Sequence, residues 1–185
     1  MKKVYLIRHG RPDFPGGKRM CLGVTDLPIG AEGLAQAREM AAKLPAVTAV
    51  FSSPMIRAVQ TAQAIGIPVT ILEGLRERNA GVWDGLTFEE IRLRYPDLYA
   101  ARGTDPTLPM PGAEDNGQVV ARFHGAMQAA AEQSPGDFAV VAHAGVISAF
   151  LQFIGGGWRK PDYTEIISLI WNGREFTIQE DNDHA

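Results

Sequence analysis

The sequence contains a single cysteine, Cys21, among its 185 residues. One cysteine excludes an internal disulfide framework and any metal site that needs several cysteine ligands. No residue near Cys21 argues for an activated thiolate, so we expect a packed or half-exposed thiol. This sparing use of cysteine favours a reducing compartment, and we expect a cytoplasmic protein.

Long apolar runs and a surplus of positive charge are also absent. No run approaches the roughly 20 apolar residues that a membrane span requires. Arg8 and His9 cut the N-terminal apolar run to four residues, which is too short for the core of a signal peptide. Lys and Arg number 18 against 21 Asp and Glu, for a net charge of −3. We therefore expect neither nucleic acid nor a membrane as a partner.

Short apolar runs alternate with helical patterns along most of the chain. Runs rich in β-branched residues predict strands over residues 4–7, 47–51, 69–72 and 138–141, and residues 165–179 predict a closing hairpin around an Asn-Gly turn. This alternation predicts an α/β fold, a three-layer α/β/α sandwich with a mostly parallel central sheet. We expect a single domain over residues 1–185, with a polar tail at 179–185.

The middle of the chain departs from this alternation. Thr87 and Glu90 form a capping-box pattern that opens a short helix to about residue 94. After Pro96 the chain is punctuated by proline and glycine. We expect residues 86–116 to be an insertion that lies over one end of the sheet and over the active site, not a second domain.

Arginine and histidine side chains follow three of the predicted strands. The first strand ends in Arg8 and His9, the second precedes a helix that Ser53 caps and whose first turn holds Arg57, and the last parallel strand ends at His143. Carboxyl ends of parallel strands meet at one edge of a sheet. Two guanidinium groups and two imidazoles would repel one another there without an anion between them, and the arginine fork suits tetrahedral oxyanions. The sequence therefore predicts a phosphate site.

Four segments, in this order, then match a known pattern: LIRHG, SSPMIRAVQTA, LRERNAGVWDG and VVAHAGVI. Together with GVTDLPIGAEGLAQA and LPMPGAED they cover nearly the whole chain, which resembles the histidine phosphatase superfamily, the phosphoglycerate-mutase-like enzymes. The short chain and the W-x-G form of GVWDG are similar to the phosphatase branch. The resemblance implies hydrolysis of a small phosphorylated metabolite.

The resemblance also implies a role for each matching residue. His9 matches the nucleophile that becomes a phosphohistidine, and Glu77 matches the general acid that protonates the leaving oxygen and then activates water. Arg8, Arg57 and His143 match the residues that clamp the phosphoryl oxygens. The wider phosphate-binding set implied by the same motifs adds Gly10, Gly23 and Ala144.

Elementary chemistry agrees with this assignment. A neutral imidazole is a competent nucleophile, and an unperturbed histidine titrates near ~6.5. Neighbouring arginines disfavour a second cation and so help to keep His9 unprotonated. The arginines also supply the positive charge that magnesium supplies in kinases. We therefore expect a metal-independent enzyme with no cofactor.

The loop after the RHG motif departs from the family pattern and leaves the substrate open. Arg11 stands where an acidic or amide residue is common, and Pro15 where the spacing places an asparagine. Arg11, Lys18 and Arg19 either replace the missing amide or bind a second anionic group on the substrate. Glu114, in the later PGAED segment, is a further candidate for the pocket lining.

Several alternatives stay open at this point. A phosphoglycerate-type mutase would use the same nucleophile, and an α-ribazole-5′-phosphate phosphatase of cobalamin synthesis is a specific case of the phosphatase assignment. A non-catalytic phosphate-binding module would keep the arginines and lose His9 or Glu77. A metal hydrolase with histidine ligands would place a cation beside two arginines, which are poor neighbours for it. A homodimer is kept open as the assembly.

Overall fold

The fold is given by a computed structural model that describes residues 1–179. Residues 180–185, which include most of the predicted polar tail, lie outside the described residues. Within residues 1–179, no helix has both the length and the apolar character that a membrane crossing requires.

One sheet of six strands runs through the described residues. Its strands are β1 Lys2–Arg8, β2 Ala49–Ser52, β3 Val69–Ile71, β4 Phe138–Ala142, β5 Ile166–Trp171 and β6 Phe176–Ile178. Their spatial order is β3-β2-β4-β1-β5-β6. The first four strands are mutually parallel, and β5 pairs antiparallel with both β1 and β6. The predicted mostly parallel sheet and its closing hairpin are confirmed.

Helices cover both faces of this sheet. They are α1 Ala31–Lys43, α2 Ile56–Gln63, α3 Phe88–Arg94, α4 Pro96–Thr104, α5 Asn116–Gln133 and α6 Ala144–Phe153. Successive side chains of a strand point to opposite faces. Accordingly Val4 and Leu6 of β1 pack with α5 and α6, while Tyr5 and Ile7 pack with α1 and α2. The two apolar cores on either side of the sheet make the three layers that the alternation predicts.

Two sequence predictions about helices are wrong. The helix that carries Arg57 begins at Ile56, and Ser53 does not cap it. The amide of Ile56 instead donates to Asp26 Oδ2 at 2.8 Å, so the acceptor comes from a loop 30 residues earlier. The structure also contains α4, where only a proline-punctuated stretch was expected. Its Pro96 occupies the first helical turn, where the absence of an N–H costs nothing.

The strand register sets the edge on which the polar residues collect. Arg8 lies opposite Ala142 across the β1–β4 pair, and Ser52 lies opposite Val141 across the β2–β4 pair. The three strands therefore end at nearly the same level. The residues that follow them, His9, Ser53 and His143, meet at one edge of the sheet.

Candidate active site

A cavity of about 290 Å³ opens at this carboxyl edge of the sheet. Arg8 and His9 line its floor together with Glu77 and the first two residues of α6, Ala144 and Gly145. The 86–116 segment adds part of the wall through Phe88, Arg102, Pro106 and Met110.

His9 sits on the floor of the cavity with one ring nitrogen engaged. Its Nδ1 lies 2.7 Å from the carbonyl oxygen of Gly10, and a carbonyl only accepts, so Nδ1 carries the proton. The lone pair is then on Nε2, which has no hydrogen-bond partner among the described residues. Burial lowers the pKa of His9 well below its usual value, and the positive charges of Arg57 and Arg8 add to the effect. The ring is therefore neutral at neutral pH, and its Nε2 lone pair is chemically able to act as a nucleophile.

Two buried arginines flank this ring. Arg8 donates through Nη1 to the carbonyl of Pro161 at 2.8 Å, and its guanidinium carbon lies 3.8 Å from the centre of the Tyr163 ring. Arg57 is 1% exposed and donates through Nη1 to Asp26 Oδ1 at 3.0 Å and to the carbonyl of Thr25 at 3.1 Å. Each guanidinium is thus held on one side, which leaves other donors for a ligand.

His143 lies beside His9, with ring centres 5.0 Å apart. Its Nε2 is 2.7 Å from Ser53 Oγ, which also accepts from the amide of Met55. We assign the Ser53 hydroxyl as the donor to Nε2, so that Nδ1 carries the proton. Burial lowers the pKa of His143 well below its usual value, with smaller contributions from Arg57, His9 and Arg8. His143 is therefore a neutral donor.

The buried donors without a partner concentrate in this site. Among the described residues, five buried side-chain polar atoms have no hydrogen-bond partner: the Nε atoms of Arg8, Arg57 and Arg78, Nδ1 of His143 and Nε1 of Trp83. Buried donors in folded proteins are normally satisfied. Three of these five belong to the residues predicted to clamp a phosphoryl group. A ligand with several acceptor oxygens could satisfy these three donors.

Glu77 is fixed at the N-terminus of α6 by backbone amides. Its carboxylate accepts from the backbone amides of Gly145 and Val146 at 3.0 Å each, and from the backbone amide of Arg78 at 2.8 Å. A Cβ on Gly145 would lie 2.7 Å from Glu77 Oε1, so any larger residue here would force the Glu77 carboxylate to shift. The glycine at position 145 thus leaves room for the Glu77 carboxylate.

The chain around Glu77 is held by the half-buried side chain of Arg122 on α5. Arg122 donates to the carbonyls of Gly74, Arg76 and Glu77 and forms a two-pronged ion pair with Glu114. Glu114 is therefore part of the support of Glu77 and does not line the cavity.

A second support organises the loop that faces Arg57. Asp84 accepts from the amides of Gly23 and Thr25 and from the Thr25 hydroxyl at 2.7 Å. Thr25 and Asp26 in turn contact Arg57. Asp84 of the GVWDG segment therefore holds the loop whose residues bind Arg57.

The remaining predicted residues fall into two groups. The amide of Gly10 donates to Thr61 Oγ1, and the amide of Gly23 donates to Asp84 Oδ1. A Cβ added to Gly10 would lie 2.6 Å from the carbonyl oxygen of Gly33, and one added to Gly23 would lie 2.5 Å from the amide nitrogen of Ala80. These contacts give both glycines a packing role, and their phosphate-binding role stays a prediction. Ala144 lines the cavity where α6 begins.

Cys21 also lines the cavity wall. Burial raises the pKa of its thiol to about 12, so the thiol stays protonated as expected.

Comparison with known proteins decides the family. The sequence profile of the histidine phosphatase superfamily (branch 1) matches residues 4–184. The chain belongs to the histidine phosphatase superfamily. This membership confirms the resemblance that the four motifs carried.

Similar members of the superfamily come from several bacteria. The uncharacterized phosphatase PhoE of Bacillus subtilis is 29% identical, with 97% of this chain and 91% of that protein covered. A mycobacterial glucosyl-3-phosphoglycerate phosphatase, solved in complex with VO3, has a TM-score of 0.85 and 25% identity over 97% of this chain and 98% of that one. Bacillus stearothermophilus YhfR has a TM-score of 0.84 and 26% identity, with 100% of this chain and 98% of that chain covered.

Sequence reasoning missed several residues that build this site. Ser53 was interpreted as a helix cap but contacts His143, and Asp26, Tyr163 and Arg122 were not singled out. Two of these could have been found from the sequence. Ser53 is a polar residue at a strand end, and Asp26 is the acidic residue of the GVTDLPIG motif, so both could have been expected at the carboxyl edge of the sheet. Nothing in the sequence around Tyr163 or Arg122 indicates the contacts that they make.

Proposed function

We propose that this protein is a metal-independent phosphomonoesterase that hydrolyses a small phosphorylated metabolite through a phosphohistidine on His9. The observation that carries the proposal is the convergence of partnerless buried donors from Arg8, Arg57 and His143 around a neutral imidazole. Phosphoryl transfer asks a protein for in-line positioning and for compensation of charge on the equatorial oxygens. These residues supply both.

In the first step, His9 Nε2 attacks the phosphorus of the monoester. The N–P bond forms as the P–O bond to the alcohol breaks, and Glu77 donates a proton to the departing oxygen. The guanidinium groups and His143 Nδ1–H take the equatorial oxygens, where arginine forks act more strongly than neutral donors.

In the second step, the Glu77 carboxylate removes a proton from water, whose oxygen attacks the phosphorus. The N–P bond breaks, its electron pair returns to Nε2, and inorganic phosphate leaves. The positive charge of Arg8 and Arg57 serves throughout where a divalent cation would otherwise act. The small carbon skeleton of the substrate would lie in the upper part of the cavity.

The direct test is to trap the phosphoenzyme. The wild-type protein, mixed with a phosphate-labelled monoester and quenched in alkali, should carry label that is released by acid, and peptide mapping should place it on His9. His9→Ala should abolish the label and reduce turnover by at least about 1,000-fold. Activity should persist in EDTA.

Two results would overturn the proposal. One is full turnover by His9→Ala. The other is a wild-type protein that releases no phosphate from any ester and traps no label, which would favour a phosphate-binding module. Transfer of the label to an acceptor alcohol in preference to water would identify a mutase instead.

A further inference from the structure

The cavity lining carries more positive charge than a single phosphoryl group requires. Among the described lining residues Glu77 is the only carboxylate. Besides Arg8 on the floor, the lining contains four more cationic side chains: Arg19, Arg78, Arg102 and Lys160.

Two of these four cations have structural partners. Arg102 donates to the carbonyls of Pro106 and Leu108, which folds the turn after α4 back on the helix. Arg78 donates through Nη2 to Asn116 Oδ1 at the start of α5. Their donors thus serve largely to hold the wall.

Arg19 and Lys160 differ because their side chains form no hydrogen bond or ion pair within the described residues. Their cationic sequence neighbours are all paired: Lys18 with Glu89 and Arg159 with Glu165, and Arg11 at the start of the same loop with Glu32. Those three neighbours do not line the cavity, whereas Arg19 and Lys160 do. The structure therefore selects Arg19 from the three candidates in the loop after the RHG motif.

Arg19 and Lys160, which we call the mouth pair, lie close to the floor arginine. Lys160 directly precedes Pro161, whose carbonyl accepts from Arg8 Nη1. Partial desolvation lowers the pKa of Lys160, and the positive charges of Arg8 and Arg19 lower it further. The charge of Arg19 also lowers the pKa of Arg8. Cations this close repel one another, and an anion between them would relieve the repulsion.

We propose that Arg19 and Lys160 form a second anion subsite, and that the substrate is a phosphomonoester whose alcohol portion carries a carboxylate or a second phosphate. This inference rests on the proposed phosphatase function, with the first phosphate on the floor and the second anion at the mouth. Phe88, whose ring centre lies 5.5 Å from the guanidinium carbon of Arg19, and Trp158 border the mouth with apolar surface. The subsite thus selects a charged group on a compact skeleton.

The test compares substrates that differ only in the second anion. 3-Phosphoglycerate and glycerol 3-phosphate differ by a carboxylate against a hydroxymethyl group. Fructose 1,6-bisphosphate and fructose 6-phosphate test a second phosphate. We expect the wild type to prefer the anionic member of at least one pair by about 10- to 100-fold in kcat/KM, since a hydrogen bond to a charged group has that strength. The pair that shows the preference identifies the anion.

The variant arm removes the charges and keeps the side-chain lengths. Arg19→Gln combined with Lys160→Gln should lower that preference to within about threefold, while kcat/KM for the neutral member changes little. Lys18→Gln, which removes a paired cation from the same loop, should keep the full preference. An undiminished preference in the double variant, or no preference in the wild type, would overturn the subsite.

Measuring ligand binding to a variant that cannot form the phosphohistidine tests the anion subsite independently of the proposed reaction. His9→Ala should bind 3-phosphoglycerate or fructose 1,6-bisphosphate more tightly than its neutral counterpart in calorimetry, and the Gln substitutions should remove the difference. If the wild type releases phosphate from both members of each pair equally well, the phosphatase stands and the subsite fails. If no ester is hydrolysed but the binding preference responds to Arg19 and Lys160, the subsite stands and the phosphatase fails.

Discussion

The floor and the mouth of the cavity are built on different principles. Arg8 and His9 on the floor, and Arg57 and His143 next to His9, are all at most 8% exposed. We count Arg57 and His143 with the floor below, although they do not line the cavity. The mouth pair, Arg19 and Lys160, is exposed to solvent. The floor residues lie at the ends of parallel strands whose register the sheet fixes, or in the helix that follows one, whereas the mouth residues belong to loops.

The difference extends to what supports each group. Every floor side chain has at least one fixed contact, such as Asp26 for Arg57 or Ser53 for His143. The mouth pair has no polar side-chain partner among the described residues. Preorganised groups lose little on meeting a transition state, while long unsupported side chains adapt to what they meet. Under the proposed function, the floor sets the reaction and the mouth sets the choice of substrate.

Replacing Glu77 at the floor should have a larger effect than removing the support of Arg57. Glu77→Gln should lower kcat/KM for an alkyl phosphate by roughly 100- to 1,000-fold, as loss of a general acid does. For p-nitrophenyl phosphate kcat/KM should fall much less, because nitrophenolate leaves without a proton. Steady-state rates on both esters measure this. Glu73→Gln, an exposed carboxylate four residues earlier, is the matched control. Equal losses on the two esters would assign Glu77 a structural role only.

Removing the support of Arg57 should have a smaller effect than removing Glu77. Asp26→Asn keeps an oxygen for the amide of Ile56 but weakens the ion pair with Arg57, so we expect kcat/KM to fall about 10-fold. Asp26→Glu should recover part of the loss. Binding of vanadate, a mimic of the transferred group, should weaken in parallel.

A structural fault alone would not produce that pattern. Glu39→Gln removes an exposed ion pair with Lys43 on α1 and should change neither rate nor vanadate affinity. Unchanged vanadate binding in Asp26→Asn would show that the floor arginine needs no support, and the contrast with the mouth would lose its basis.

Predictability from the sequence follows the same division. The floor could be predicted because strand periodicity and the residues at strand ends are local features of the chain. The supports could not, because Asp26 reaches Arg57 and Arg122 reaches Glu77 across more than 30 positions. The start of α2 was misplaced for this reason, since its cap is Asp26 and lies outside any local window. Choosing Arg19 over Arg11 and Lys18 likewise required knowing which carboxylates lie near each.

The buried histidines of the floor should also make the fold sensitive to acid, an effect on stability and not on the reaction rate. His9 and His143 have pKa values depressed by burial and nearby arginines, so below about pH 6.5 the unfolded chain binds protons that the folded protein does not. The free energy of unfolding should then fall as the pH drops, by about 1.4 kcal/mol per pH unit for each histidine. Urea unfolding between pH 7 and 5 measures this slope. His9→Asn should reduce the slope by one histidine's share, and His143→Asn should do the same. An unchanged slope in both variants would mean that these rings titrate normally in the folded protein, and that the floor is as open to water as the mouth.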